Sequence, residues 1–201
     1  LDIANAEPET QEEARVSLAR LLLQGGQDLG DLPPEILTQA QLGEARTILD
    51  QGEFEEALSL YSRIISNEGT QDNIRRAAKS GMAEALSNLG QHNEANEIWE
   101  GLLRENLDPV ESQHIEVLLA YSKLQANDLE GAKLAFSSLR QSSDALIRYQ
   151  GMMGLAETSM LSGELEKSKE VYAQILESQP NQEIQIQVWQ ELAQIAQEQE
   201  S

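Results

Sequence analysis

The sequence predicts an all-α fold, an α-solenoid of stacked helix-turn-helix repeats with a capping helix at each end. The first ground is self-similarity. A turn residue, a small residue five later, a large ring nine later and aliphatics beyond it recur four times along the chain. The turn residues are Gly52, Gly90, Asn127 and Gly163, at spacings of 38, 37 and 36 residues. A period of that length marks helical hairpins that bury their apolar faces only by stacking. The second ground is composition. Ala and Leu fill the apolar positions while aromatics make up 4%, which suits close helix packing better than sheets.

The elements follow in order. Pro8 is a good first helical residue, and Ala14, Leu18, Leu21 and Leu22 fall on one face at helical spacing. Gly25-Gly26 and the stretch to Pro33-Pro34 then break the helix. Residues 1–33 are therefore an N-terminal helix and loop, residues 34–180 four repeats, and residues 181–201 a C-terminal cap. Seven residues before each turn stand Ala45, Ala83, Ala120 and Ala156, and five after it Ala57, Ala95, Ala132 and Ser168. Small side chains in both helices let their axes approach. Tyr61, Trp99, Phe136 and Tyr172 fill the space beside that contact. Gly, or Asn in its place, suits the left-handed conformation that ends a helix. Asn67–Thr70, Asn106–Pro109, Gln141–Asp144 and Gln179–Asn181 separate the repeats. In the tail, Ile184, Val188, Leu192 and Ile195 share one face. The expectation is a cap with a polar back, fraying from Gln197.

This pattern resembles the tetratricopeptide repeat (TPR) family. Its carriers are Ala45…Gly52-x-Phe54-x-x-Ala57-x-x-x-Tyr61 and the recurrences around Gly90 and Gly163. The second copy departs with His92 in the apolar slot, the third with Asn127, the fourth with Ser168. Pro180 matches the family's closing proline. The repeats exceed the family standard of about 34 residues, which places extra residues in helices or loops between units. The resemblance covers roughly residues 38–182.

The resemblance implies a right-handed superhelix with a concave groove lined by the first helix of each pair. Residues ten, six and three before each turn should face it. These are Leu42, Arg46 and Leu49; Ser80, Glu84 and Ser87; Val117, Tyr121 and Leu124; Met153, Glu157 and Met160. The C-terminal half would take an extended segment or helix of another protein on Val117, Tyr121, Leu124, Met153 and Met160, adaptable Met suiting such a surface. The competing reading packs Leu124, Met160 and Leu161 against the neighbouring pair. Family members that grip a terminal carboxylate use Asn and Lys or Arg in the groove. Arg46, Glu84, Tyr121 and Glu157 stand in that line here, so acidic C-terminal peptides should not bind.

The net charge of −21 argues against nucleic acid and anionic membrane surfaces as partners. There is no cysteine, hence no disulfide or thiolate chemistry, and no apolar run long enough to span a membrane. The start at Leu1 reads as a mature or excised form. His92 reads as structural, and His114 has no second His nearby in sequence. No P-loop occurs, since Gly25-Gly26…Gly30 lacks the following Lys-Ser/Thr. Glu53, Glu55, Glu56, Asp128 and Glu130 fall in second-helix first turns, where acids complement the helix dipole. Arg75, Arg76, Lys79, Lys167 and Lys169 read as local salt-bridge donors. No metal, cofactor or catalytic set is expected.

The leading function is a non-enzymatic protein-interaction module, a scaffold whose groove holds a partner peptide or helix. Comparison with bacterial envelope members of the family prefers the periplasm over the cytoplasm. Self-assembly into a homo-oligomer through terminal helices, and an accessory domain of a larger enzyme, stay open.

Overall fold

The computed structural model describes residues 15–19, 21 and 33–199, and among these there is no strand. The helices are α1 (Pro34–Asp50), α2 (Phe54–Ser66), α3 (Asp72–Asn88), α4 (His92–Leu103), α5 (Pro109–Gln125), α6 (Leu129–Leu139), α7 (Ala145–Leu161), α8 (Leu165–Glu177) and α9 (Gln182–Gln199). They form four hairpins and a last helix in the expected order. The hairpins' first helices α1, α3, α5 and α7 are each 17 residues long. Each ends two residues before its turn residue, so the spread in period lies wholly in the second helices and the loops after them.

The turns explain that regularity. Gly52, Gly90 and Gly163 have φ of 83°, 78° and 74°, and Asn127 has 59°. At each, the turn residue's N–H returns to the carbonyl three back, and the next N–H to the carbonyl five back. The pairs are Gly52 N to Leu49 O (2.9 Å) with Glu53 N to Ile48 O (3.2 Å), and Gly163 N to Met160 O (2.9 Å) with Glu164 N to Ser159 O (2.8 Å). Gly90 with Gln91, and Asn127 with Asp128, repeat the arrangement. This double bond satisfies carbonyls that a helix end leaves open. Between repeats, Asp108 and Asp144 cap α5 and α7, each carboxylate accepting from two backbone N–H groups.

The chain divides into two compact units, residues 1–102 and 103–201. In the first, Ala45 and Leu49 of α1, Ala57, Tyr61 and Ile64 of α2, and Ile74, Ala78 and Ala85 of α3 form one core. Gly81 lies so close to Tyr61 that a Cβ there would overlap the ring. In the second, Val117, Ala120 and Leu124 of α5 pack with Ala132, Phe136 and Leu139 of α6 and with Leu155 of α7. Gly154 meets Phe136 as Gly81 meets Tyr61, and Gly151 lies against the backbone where α6 ends. Met152, Met153 and Ala156 join Tyr172 and Ile175 of α8 and Val188 and Ile195 of α9.

The two ends of the chain were read less fully than the repeats. The N-terminal helix proposed over 8–24 lies mostly outside the described residues. In its described part Ala19 and Val16 pack on Ile36 and Ala40, while Leu18 and Leu21 are exposed. The contact face is thus rotated from the leucine stripe. The tail helix runs on past Gln197 to Gln199. Its back is not uniformly polar, because Ile186 and Trp189 are exposed there.

Candidate functional site

In the second unit, the faces of α5, α7 and α9 enclose an open cleft of about 260 Å³. Tyr121 contributes from α5, and Leu146, Tyr149, Gln150 and Met153 from α7. The third side is Asn181, Glu183, Ile184 and Gln187, at the start of α9. Tyr149, Gln150 and Met153 lie three, four and seven residues after Leu146, which aligns them along one face of a helix. Asn181 fixes the α9 side, its Oδ1 accepting the N–H of Ile184 at 3.0 Å. The Gln185 side chain returns to Pro180 O at 2.7 Å.

The ring positions are set from behind. Tyr121 stands edge-on to Phe136, centroids 5.0 Å apart at 74°. The Tyr149 hydroxyl lies 3.1 Å from Ser178 Oγ. The Ser178 hydroxyl donates to Ile175 O at 2.6 Å, so Tyr149 is the donor to Ser178. Arg148 lies over the Tyr149 ring at 5.8 Å.

The electrostatics of this face are acidic. Burial pushes the Tyr121 phenol up to about 12, and Glu157 adds to the shift. The Glu157 carboxyl is itself raised, first by burial and then by Glu191. Tyr172 is raised by burial and by Glu191, Glu157 and Tyr121. Like charges facing one another across low-dielectric surroundings disfavour ionisation of each. The cleft lining holds one ionisable carboxylate, Glu183, and no cation. An apolar floor with an acidic margin can receive an apolar side chain flanked by a base.

The groove residues expected from the sequence separate into two sets. Val117, Leu124 and Leu49 are buried in the cores, and Met153 is 9% exposed at the edge of its core. Leu42, Glu84, Tyr121, Glu157 and Met160 are half-buried, and Arg46 is exposed. In the first unit, Arg46, Glu84 and Asp50 surround Tyr61, whose phenol burial pushes up to about 12. Of the expected set, the cleft brings together Tyr121 and Met153. Its other walls were not read from sequence. Leu146 and Tyr149 precede Met153 by seven and four residues, a spacing that could have found them. The α9 wall required recognising that helix as another first helix.

Elsewhere the charged groups pair locally. Lys167 meets Glu164 at 2.7 Å, Lys169 meets Glu166 at 3.1 Å, and Arg75 meets Asp72 at 3.5 Å. His92 Nδ1 lies 3.2 Å from Ser87 Oγ. Among the described residues no three His, Asp or Glu side chains gather as a metal site, and no helix is long and apolar enough to cross a membrane.

Comparison with solved structures shows the same fold. The nearly identical TPR-like repeats of a Podosopora anserina protein described as a kinesin light chain match with a TM-score of 0.62. Identity is 18%, over 87% of this chain and 97% of that one. A single-substitution variant of those repeats matches with the same score and identity over 92% of this chain and all of the other. No family model and no curated protein matches the sequence. The fold is thus TPR-like, an all-α array of helical hairpins.

Proposed function

We propose that this chain is a non-enzymatic scaffold that holds a segment of a partner protein in the cleft between α5, α7 and α9. The observation that carries this reading is the uncovered apolar wall of α7. Leu146 is 61% exposed beside Tyr149 and Tyr121, in a chain of net charge −21. The chemistry favours a short segment with a Leu or aromatic anchor next to Arg or Lys. A role in the bacterial cell envelope is part of the proposal. It is supported by the repeat pattern and the cysteine-free sequence, and subcellular fractionation of the native protein tests it.

The test uses an array of seven-residue peptides with Leu, Phe or Ala at the centre and Lys or Glu at the flanks. Leu- and Phe-centred peptides with Lys flanks should bind. Leu146→Asp should weaken that binding at least about tenfold with unchanged far-UV circular dichroism. Peptide binding that ignores Leu146→Asp would place the partner elsewhere. Met153 is the poorer probe, because an Asp at that core edge would disturb packing.

A further inference from the structure

The last helix presents a second surface, away from the cleft. Like α1, α3, α5 and α7, α9 begins at the residue where a first helix is due, directly after an inter-repeat break. Val188 and Ile195 are fully buried against the preceding hairpin. They occupy the positions that Gly151 and Thr158 hold in α7. By the same register, Trp189 and Ala193 stand where α7 has Met152 and Ala156, which α8 covers with Tyr172 and Ile175. On α9 these positions are open. Trp189 is 60% and Ile186 51% exposed, and Ala193 and Ala196 are exposed with them.

Ile186, Trp189, Ala193 and Ala196 lie on one stripe at three- and four-residue steps. The stripe bears no charge, although the chain carries −21. Glu191 points the other way, toward Glu157 and Tyr172. Two copies can therefore meet on this stripe without opposing like charges, which matters in so acidic a chain. The stripe is also self-complementary. Its two large residues precede its two small ones with mirrored spacing about position 191. A two-fold antiparallel pairing of α9 with its copy sets Trp189 against Ala193 and Ile186 against Ala196, in both directions at once.

We propose that the occupant of this face is a second copy of the chain, joined through α9 as an antiparallel two-fold dimer. Four side chains and their glutamine margins fall well short of the roughly 800 Å² per partner of a standard interface, so the dimer is weak and concentration-dependent.

Sedimentation equilibrium between about 5 µM and 500 µM, a span suited to a small interface, should show reversible dimerisation. Acrylamide quenching of the exposed Trp189 should fall as the concentration rises, while Trp99, 1% exposed, stays shielded throughout. Trp189→Ala removes the large member of the pair, and Ala193→Trp sets two large residues against each other. Either should weaken association at least about tenfold. Both positions are exposed, so the variants should melt as the parent does. The combined swap, Trp189→Ala with Ala193→Trp, restores large against small and should restore the dimer. A chain that stays monomeric across the range would show the face awaits some other helix and overturn the proposal. So would a dimer indifferent to both single variants, or a swap that fails to restore it. None of these readouts involves the α5/α7/α9 cleft.

Discussion

At the scale of single residues, Ser168 departs from its own repeat. The matching Ala57, Ala95 and Ala132 are completely buried, and Ser168 is equally buried with an Oγ that has no hydrogen-bond partner. A buried hydroxyl without a partner is destabilising by the loss of its hydration. Ser168→Ala should therefore raise unfolding stability by about 1 kcal/mol, read from the urea midpoint. Glu157 is the second such residue. Its carboxyl is raised by burial and by Glu191, so its ionised form costs stability in the folded state. That cost is present above the raised value and absent below the ordinary carboxylate range, and stability attributable to this group falls as pH rises between the two. Glu157→Gln should accordingly melt higher than the parent at pH 7. The gap should close as the pH is lowered through the raised value to the ordinary one. A gap independent of pH would mean Glu157 is not strained by its charge. The substitution of Ser for Ala was visible in the sequence, whereas the Glu157–Glu191 proximity joins α7 to α9 and needed the fold.

At the scale of the helix, what was legible is what the backbone demands locally. A left-handed residue must end each first helix, and only Gly or Asn does so without strain. The turns at 52, 90, 127 and 163 were readable for that reason, and helix starts and ends followed from them. The groove was less legible, because an apolar stripe at helical spacing serves a core and a binding surface equally. Val117 and Leu124 went to the core and Tyr121 to the cleft, a choice decided by which neighbour lies alongside. The interior glycines were a signal that went unread. Gly in mid-helix costs about 1 kcal/mol relative to Ala, and Gly81 and Gly154 both stand nine residues before a turn. The structure supplies the reason, for each admits the aromatic ring of the preceding hairpin. Gly154→Ala should thus lower stability by about 1–2 kcal/mol despite its better helix propensity. In contrast, Gly101→Ala, with nothing within 4 Å of the added methyl, should raise it by up to about 1 kcal/mol. Equal and stabilising effects from both would refute the close-approach account.

At the scale of the whole molecule, stability in such an array is a sum over hairpins and their neighbours. Each of the two compact units carries its own aromatic-centred core, around Tyr61 in one and around Phe136 and Tyr172 in the other. Fold class was legible because four imperfect copies constrain one another, and departures such as His92 or Asn127 are outvoted by the other three. The partner was not legible, since specificity rests on a few uncovered side chains whose exposure no periodicity encodes. The apolar patch on the outer side of the last helix was not legible for a related reason. The last helix covers the preceding hairpin with Val188 and Ile195, while its outer side carries the exposed Ile186 and Trp189 in place of the polar back expected.

The constant length of α1, α3, α5 and α7, set against their variable return segments, has a consequence for what changes the chain can absorb. An extra residue between hairpins, ahead of the capping Asp108 or Asp144, lengthens a connection outside the helices, at a closure cost that grows slowly with length. Deleting one residue inside Asp72–Asn88 would instead turn every side chain on one side of the gap by about 100°. Ala78 or Ala85 would then swing out of its seat and a charged neighbour into it. Lineages descended from this sequence should therefore gain and lose residues between hairpins while holding the seventeen-residue arm fixed.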